Sequence, residues 1–367
     1  MKIAQVSPLY ESVPPRLYGG TERVVSYLTE ELVRQGHDVT LFASGDSQTD
    51  ARLVSPCAQA LRLDASCRDP LIPHMIQMSQ VFSRAEQFDV IHFHVDYLHY
   101  PYTKRLDVPH VTTLHGRLDL PDLVPLYRAF DEVPVVSISD SQRTPLPWLN
   151  WQSTVHHGLP FDLHRPRHGA GGYLAFLGRI SKEKRVDRAI EIARRVGRPL
   201  RIAAKIDRAD REYYESEIAH LLDDPLVEYV GEIGEADKAA FLGDAAAVLF
   251  PVDWPEPFGL VMIEAMACGT PTIAWQCGSV PEVIDEGLTG FIVNSIDDAV
   301  AAAKRVPELS RARCRQRFEE RFSVERMARD YVCVYEQMAE AVAVPAAAVK
   351  EAARWKTLFA SKTITTS

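Results

Sequence analysis

The sequence predicts an α/β protein of two domains, each built on parallel strands. Three observations carry that expectation. Short apolar runs rich in Val, Ile and Leu recur along the chain, as strands buried on both faces require. Helical stretches separate them, and the strand–loop–helix pattern opens twice, near Lys2 and again near Tyr173. The chain has 367 residues, long for one core and well suited to two.

Composition narrows the class. Hydrophobic residues make up 46% and charged residues 25%, the values of a soluble globular protein. A formal net charge of -9 argues against a nucleic-acid partner, since phosphate affinity comes largely from Lys and Arg. The opening residues run into a strand without the basic-then-apolar pattern of a leader, and no run approaches 18 apolar residues. The six cysteines contain no C-x2-C pair, so neither zinc nor a disulfide framework is expected. A reducing cytoplasm is the expected setting.

Taken in order, Lys2–Pro8 reads as the first strand, followed by a proline-rich loop. Val24, Leu28, Leu32 and Val33 then mark one face of a helix that Gly36 ends, and VTLFA is the second strand. The glycines before that helix are the pair Gly19-Gly20 and not G-x-G-x-x-G, which disfavours a dinucleotide oxidoreductase. Such a pair lets backbone approach a ligand closely. Residues 52–86 carry no clear pattern. Strands follow in Phe88–Leu98, Val108–Gly116 and Val133–Gln142, and parallel strands place functional groups at their C-terminal ends. His115 stands at such an end. Alternation puts His92 and His94 on one side of their strand, which suits buried histidines with hydrogen-bond partners better than a metal pair. Trp148 and Trp151 suit either packing or an apolar acceptor wall or membrane-facing edge.

The Pro, Gly and basic stretch within Ser153–Gly172 is the expected boundary: residues 1–165 form the first domain and 170–322 the second. Tyr173–Leu177 opens the second as a strand, with Arg179 and Lys184 in the loop after it. Pro199–Asp210 is a strand ending near Lys205, and Leu226–Ile233 is the next strand and turn. The core of the half is PVDWPEPFGLVMIEAMACGTPTIAW (Pro251–Trp275): a strand before it, a PEP break, a helix over Phe258–Cys268 stopped by Gly269, and a strand after. A helix start free of acidic side chains offers unpaired N–H groups and a positive dipole end to an anion. Glu264 would lie one to two turns below that anion, and Glu256 at its mouth. Glu282 either reaches a ligand or caps its helix. Two further helices follow. Residues 323–343 include the one expected to cross back to the first domain, and 344–367 form a tail.

Glu256 and Glu264, seven residues apart in EPFGLVMIEAMACGTPTIA, resemble the E-x7-E signature of retaining glycosyltransferases of family 4, which have the GT-B fold. That resemblance implies two Rossmann-like domains facing across a cleft. It implies transfer of a hexose from a nucleoside diphosphate sugar, UDP-glucose first and GDP-mannose second, to an acceptor hydroxyl with retention. In that family the Arg and Lys of the GR…K pattern, here Arg179 and Lys184, hold the diphosphate with the N–H groups of Gly259 and Leu260. Phe258 and Val261 flank them, and backbone near Ile233 meets the base. Glu264 would accept from the ribose hydroxyls and Glu256 would hydrogen-bond the sugar. His115, in TLHG, and Gly19-Gly20 would complete the cleft. The implied cofactor is none beyond the sugar nucleotide as co-substrate, and the chain contains no D-x-D. The sequence departs from the family at His157-Gly158, where many relatives carry Asn-Gly, and at AAKIDRAD, where they often carry a Gly-x-Gly turn. An epimerase on the same fold and a non-catalytic sugar-nucleotide binder are the alternatives.

Overall fold

The computed structural model describes residues 1–104, 106–167 and 171–340. The expected tail from residue 344, and the last residues of the expected crossing helix, lie outside them. The first domain runs β1 (Lys2–Val6), α1 (Gly20–Arg34), β2 (Asp38–Phe42), β3 (Arg52–Val54), α2 (Leu71–Phe82), β4 (Val90–Phe93), α3 (Tyr100–Thr103), β5 (His110–Thr113), α4 (Leu123–Ala129), β6 (Val135–Ser137), α5 (Asp140–Arg143) and β7 (Trp151–Thr154). The second runs β8 (Tyr173–Arg179), α6 (Val186–Val196), β9 (Leu200–Lys205), α7 (Arg211–Tyr213), β10 (Val227–Gly231), α8 (Glu235–Gly243) and β11 (Ala245–Phe250). It continues with α9 (Leu260–Ala267), β12 (Thr272–Trp275), α10 (Val280–Val283), β13 (Gly290–Val293), α11 (Ile296–Arg305) and α12 (Arg311–Arg321). A last helix, α13, occupies 324–340.

Both sheets are wholly parallel and share one strand order. The first is β3-β2-β1-β4-β5-β6-β7 and the second β10-β9-β8-β11-β12-β13. In each, the order reverses beside the domain's first strand, where Val6 pairs with Phe93 and Ala175 with Val248. Loops leaving the strands on either side of such a point diverge and leave a crevice at their C-terminal ends. The expected pair of Rossmann-like domains is therefore what the chain builds.

The domains are joined by more than a linker. One buried apolar cluster takes Leu28, Val39 and Val111 from the first domain, Phe258 and Met262 from the second, and Tyr331 and Tyr335 from α13. Leu159 pairs with Ser323 where the two crossing segments meet, and Arg326 donates to the carbonyls of His156 and His157 at 2.6 and 3.0 Å. No helix among the described residues is long and apolar enough to cross a membrane.

Candidate active site

A cavity of about 820 Å³ opens between the domains at the C-terminal ends of both sheets. All twelve residues that the sequence singles out line it: Gly19, Gly20, His115, Arg179, Lys184, Ile233, Glu256, Phe258, Gly259, Leu260, Val261 and Glu264. They come from segments up to 245 positions apart (264 less 19), and only the two strand orders bring them together.

The wall from the second domain is built around α9. This helix starts at Leu260, two residues later than the sequence pattern suggests, because Gly259 sits at φ 80, outside the helical range. A Cβ at Gly259 would lie 2.8 Å from the Phe250 ring, so both conformation and space call for glycine. No side chain caps the helix and its first turn holds no acid, so its leading N–H groups stay free for an anion. Gly20 faces this start across the cleft, where a Cβ would be 3.8 Å from Leu260 Cδ1.

Glu256 is held by a device absent from the sequence reading. Ser279 N–H donates to its carbonyl at 3.0 Å, and Ser279 Oγ donates to the Phe258 carbonyl at 2.7 Å. Gly278, at φ 56, passes so close that a Cβ would lie 2.4 Å from both Glu256 N and O. The Glu256 carboxylate is ion-paired with Lys184 Nζ. That ammonium also sits 5.5 Å from the centre of the Trp254 ring.

Arg179 is the last residue of β8 and not a loop residue. Its guanidinium faces Glu183 at 2.5 Å, Asp210 at 3.3 Å and Asp207 at 3.7 Å. Asp207 and Asp210 belong to the stretch where the Gly-x-Gly turn was expected, so that departure supplies two carboxylates in place of a bare turn.

Glu264 is buried behind the helix start and bonded to Lys238 Nζ at 2.6 Å. Lys238 also meets Glu235 at 3.2 Å, and Glu235 pairs with Arg23 of α1 and lies 3.1 Å from His164 Nε2. Burial alone would raise the Glu235 carboxyl, but His164, Lys238 and Arg23 hold it well below the ordinary range. Ligand-type atoms of His164, Glu235 and Glu264 fall within 4.8 Å of one another, the one such cluster among the described residues. Lys238 and Arg23 already supply positive charge to it, which fits an ion-pair network better than a metal site.

On the other wall, His115 follows β5. Its Nε2 lies 2.9 Å from His94 Nδ1, and its ring stacks on His157 with centroids 5.4 Å apart. His94 Nε2 meets Gln5 Oε1 at 2.8 Å, and Gln5 Nε2 donates to Tyr335 Oη at 3.0 Å. Oε1 can only accept, so His94 donates to it and His115 donates to His94, leaving His115 Nδ1 as its acceptor atom. His92 lies in the same chain, 2.8 Å from Tyr335 Oη and 2.7 Å from Thr113 Oγ1. Burial lowers the imidazole of His115 to about 3 and those of His92, His94 and His157 well below their ordinary value. The His-x-His pair is thus buried and hydrogen-bonded, as alternation implied. Its tyrosine partners on α13 could not be found from the local pattern.

Three other residues weighed from the sequence lie elsewhere. Glu282 accepts from the N–H groups of Asp140 and Ser141, both at 2.7 Å, and so caps α5 of the opposite domain. Trp151 donates to the Leu146 carbonyl at 3.0 Å, and Trp148 lies under the Arg128 guanidinium at 5.0 Å.

Two family models match the chain: Glycosyl transferases group 1 over residues 166–323 and Glycosyltransferase Family 4 over residues 18–153. Glycogen synthase of Mycobacterium tuberculosis (strain ATCC 25618 / H37Rv) is 28% identical over 385 residues, covering 87% of this chain and 91% of the relative. Among solved structures, sucrose-phosphate synthase from Thermosynechococcus elongatus superposes with a TM-score of 0.75 at 20% identity, covering 93% and 99% of the two chains. An Anabaena protein in complex with UDP-glucose superposes with a TM-score of 0.68 at 16% identity, covering 94% and 100%. The two models divide at the boundary between the two sheets, and the shared strand order and cleft agree with them: the chain is a GT-B glycosyltransferase similar to family 4.

Proposed function

We propose that this enzyme transfers a hexose, with retention and without a divalent metal, from a nucleoside diphosphate sugar to an acceptor hydroxyl, UDP-glucose being the first donor to test and GDP-mannose the second. What supports this most is the Lys184–Glu256 pair set beside the uncapped start of α9 in a cleft shared by both domains. As the bond between the anomeric carbon and the phosphate oxygen breaks, negative charge grows on the diphosphate. Lys184, Arg179 and the N–H groups of Gly259 and Leu260 stabilise it there, the role a metal plays elsewhere. Glu256 hydrogen-bonds the sugar and stabilises its oxocarbenium-like state. The acceptor oxygen attacks the same face, and its proton passes to the departing phosphate. Glu264, bonded to Lys238, accepts from the ribose hydroxyls. Neutral His115 orients the sugar or acceptor, and closure of the cleft excludes water. The cytoplasmic setting and any peripheral membrane contact belong to the same reading and are tested by cell fractionation.

The deciding experiment is a donor panel with release of free UDP or GDP followed in real time, and the product's anomeric configuration read by NMR. Release from UDP-glucose, an α-linked product and activity undiminished by EDTA are expected. A β-linked product, or activity lost to EDTA and restored by manganese, overturns the proposal.

A further inference from the structure

The cations assigned to the diphosphate are outnumbered by carboxylates. Arg179, Lys184 and Lys205 pair with Glu183, Asp207, Asp210 and Glu256, three positive charges against four negative ones. Those carboxylates are not held alike. Glu183 accepts from Arg179 Nη2 at 2.5 Å, and Glu256 is joined to Lys184 Nζ. Asp207 and Asp210 meet Arg179 by charge alone. Asp207 Oδ2 stands 3.7 Å from Nη1, too far for a hydrogen bond. Asp210 Oδ2 stands 3.3 Å from Nε, yet both atoms are buried without a hydrogen-bond partner.

A single 3₁₀ turn after β9 sets the two aspartates. Asp210 N–H donates to the Asp207 carbonyl at 3.0 Å, and positions three apart on such a turn share one side. Lys205, the last residue of β9, places Nζ 3.1 Å from Asp207 Oδ1. Arg179, Glu183, Lys184 and Lys205 line the cavity, and neither aspartate does. Asp207 and Asp210 therefore act on a ligand through the cations they face.

We infer that Asp207 and Asp210 are positioning residues that compete with the diphosphate for Arg179 and Lys205, loosening the hold on the nucleotide and speeding its release after transfer. The inference rests on the proposed diphosphate site and adds how that site lets its product go. An entering diphosphate takes the Arg179 Nε–H without breaking a hydrogen bond, because Asp210 holds it by charge only. As the nucleotide leaves, the aspartates restore the balance, so neither partly buried cation is left unpaired. Glu183, bonded to Nη2, keeps the guanidinium oriented in both states. A free diphosphate carries more negative charge than a sugar-linked one, so the product is the species that cations hold hardest. A Gly-x-Gly turn in this place has no side chain with which to compete.

Asp207→Asn, Asp210→Asn and the double variant keep the side-chain shape and remove the charge. Affinity for UDP and GDP is read by titration calorimetry and release by stopped-flow displacement, neither of which needs an acceptor. Each single variant is expected to bind its nucleotide about threefold more tightly and the double variant about tenfold, with release slowed to match. Asp210→Glu, which keeps the charge, should stay near the unchanged chain. In transfer assays the double variant should show a lower donor KM, a lower kcat and a burst in the first turnover. A merely structural role for the aspartates would weaken binding, so the sign of the change decides. In an Arg179→Gln background Asp210→Asn is expected to be nearly silent, and a full gain there overturns the route through Arg179. Nucleotide affinity unchanged or weakened in all three variants overturns the inference and leaves the nucleotide site standing. Tighter binding and slower release without any sugar transfer uphold the inference and overturn the reaction. Failure of the unchanged chain to bind either nucleotide overturns both.

Discussion

The two walls of the cleft stand on sheets of the same strand order, yet their polar groups are kept in opposite states. On the second domain, Lys184, Glu256, Lys238, Glu264 and Glu235 form a set of charged pairs around a helix start. On the first, His94, His115 and His157 are held neutral by burial, and Asp96 is exposed with no ion pair among the described residues. The fold decides where the crevice lies. The side chains on each wall set its chemistry: paired charges around an uncapped helix start on one, neutral histidines on the other.

The sharpest break between the walls is expected in acid. His92, His94, His99, His115 and His157 all have lowered values in the fold and ordinary ones, near 6.5, in the unfolded chain. A histidine lowered by folding costs nothing above its unfolded value. Below it the unfolded chain binds a proton the folded one refuses, so stability drains as pH falls from about 6.5. Each contributes about 1.4 kcal/mol per pH unit, and five together rival the whole stability of a domain. For the half-buried carboxylates of the second domain the sign is the familiar one. Glu235 and Glu282 are held low, so their contribution persists until pH falls through values below the ordinary carboxylate range. Thermal melts and amide exchange should therefore show the first domain loosening between pH 6.5 and 5.5 while the second holds. Equal protection of both domains across that window contradicts the comparison.

The next largest effect belongs to Lys184→Ala. It removes the cation nearest Glu256 and the start of α9, and turnover is expected to fall roughly a hundred- to a thousandfold. Affinity for UDP should fall far less, because α9 and Arg179 remain. A variant with near-normal kcat would remove Lys184 from the chemistry altogether.

Gly278→Ala probes the support of Glu256 without touching a charge. The new methyl would need the space of the Glu256 backbone, and the residue would be held at φ 56. A loss of about 1–3 kcal/mol in stability is expected, with turnover down roughly tenfold and UDP affinity kept. Equal losses in both would mean that the nucleotide site, and not the Glu256 loop alone, has moved.

These tests follow the line between what the sequence discloses and what it does not. The strands, the two-domain plan and the second wall are legible because they rest on local patterns: apolar runs, the PEP break, one helix with glutamates at fixed spacing. Errors there are small and local. Gly259 delays α9 by two residues, and Arg179 ends β8 in place of opening a loop. The first wall is different in kind. Arg62 meets Glu11 only through the fold, and Tyr335 reaches His92 across 243 positions. The stretch 52–86 hides α2 because Leu71, Ile72, Met75 and Ile76 are apolar yet exposed, so no inward stripe marks the helix.

The smallest expected effect also separates the walls. The cleft walls around the exposed Asp96 thin its hydration and push its carboxyl up to about 6, while His115 at about 3 does not titrate anywhere near that range. Above pH 6 Asp96 is an anion that accepts hydroxyl hydrogen bonds, and below it the proton is added and that capacity falls. Between pH 7.5 and 5.5 the ionised fraction drops roughly fourfold for a group of that value, and kcat/KM for the acceptor should follow. UDP affinity should stay level over the same span, because Asp96 belongs to the domain opposite the start of α9. Short assays with Asp96→Asn alongside separate this from acid loosening of the fold: the variant's profile should be low and flat where the wild type bends. A bend that survives in Asp96→Asn and disappears in His115→Gln would place the titrating group on the histidine chain instead, and the open-acid picture of the first wall would give way to a proton-ordered one.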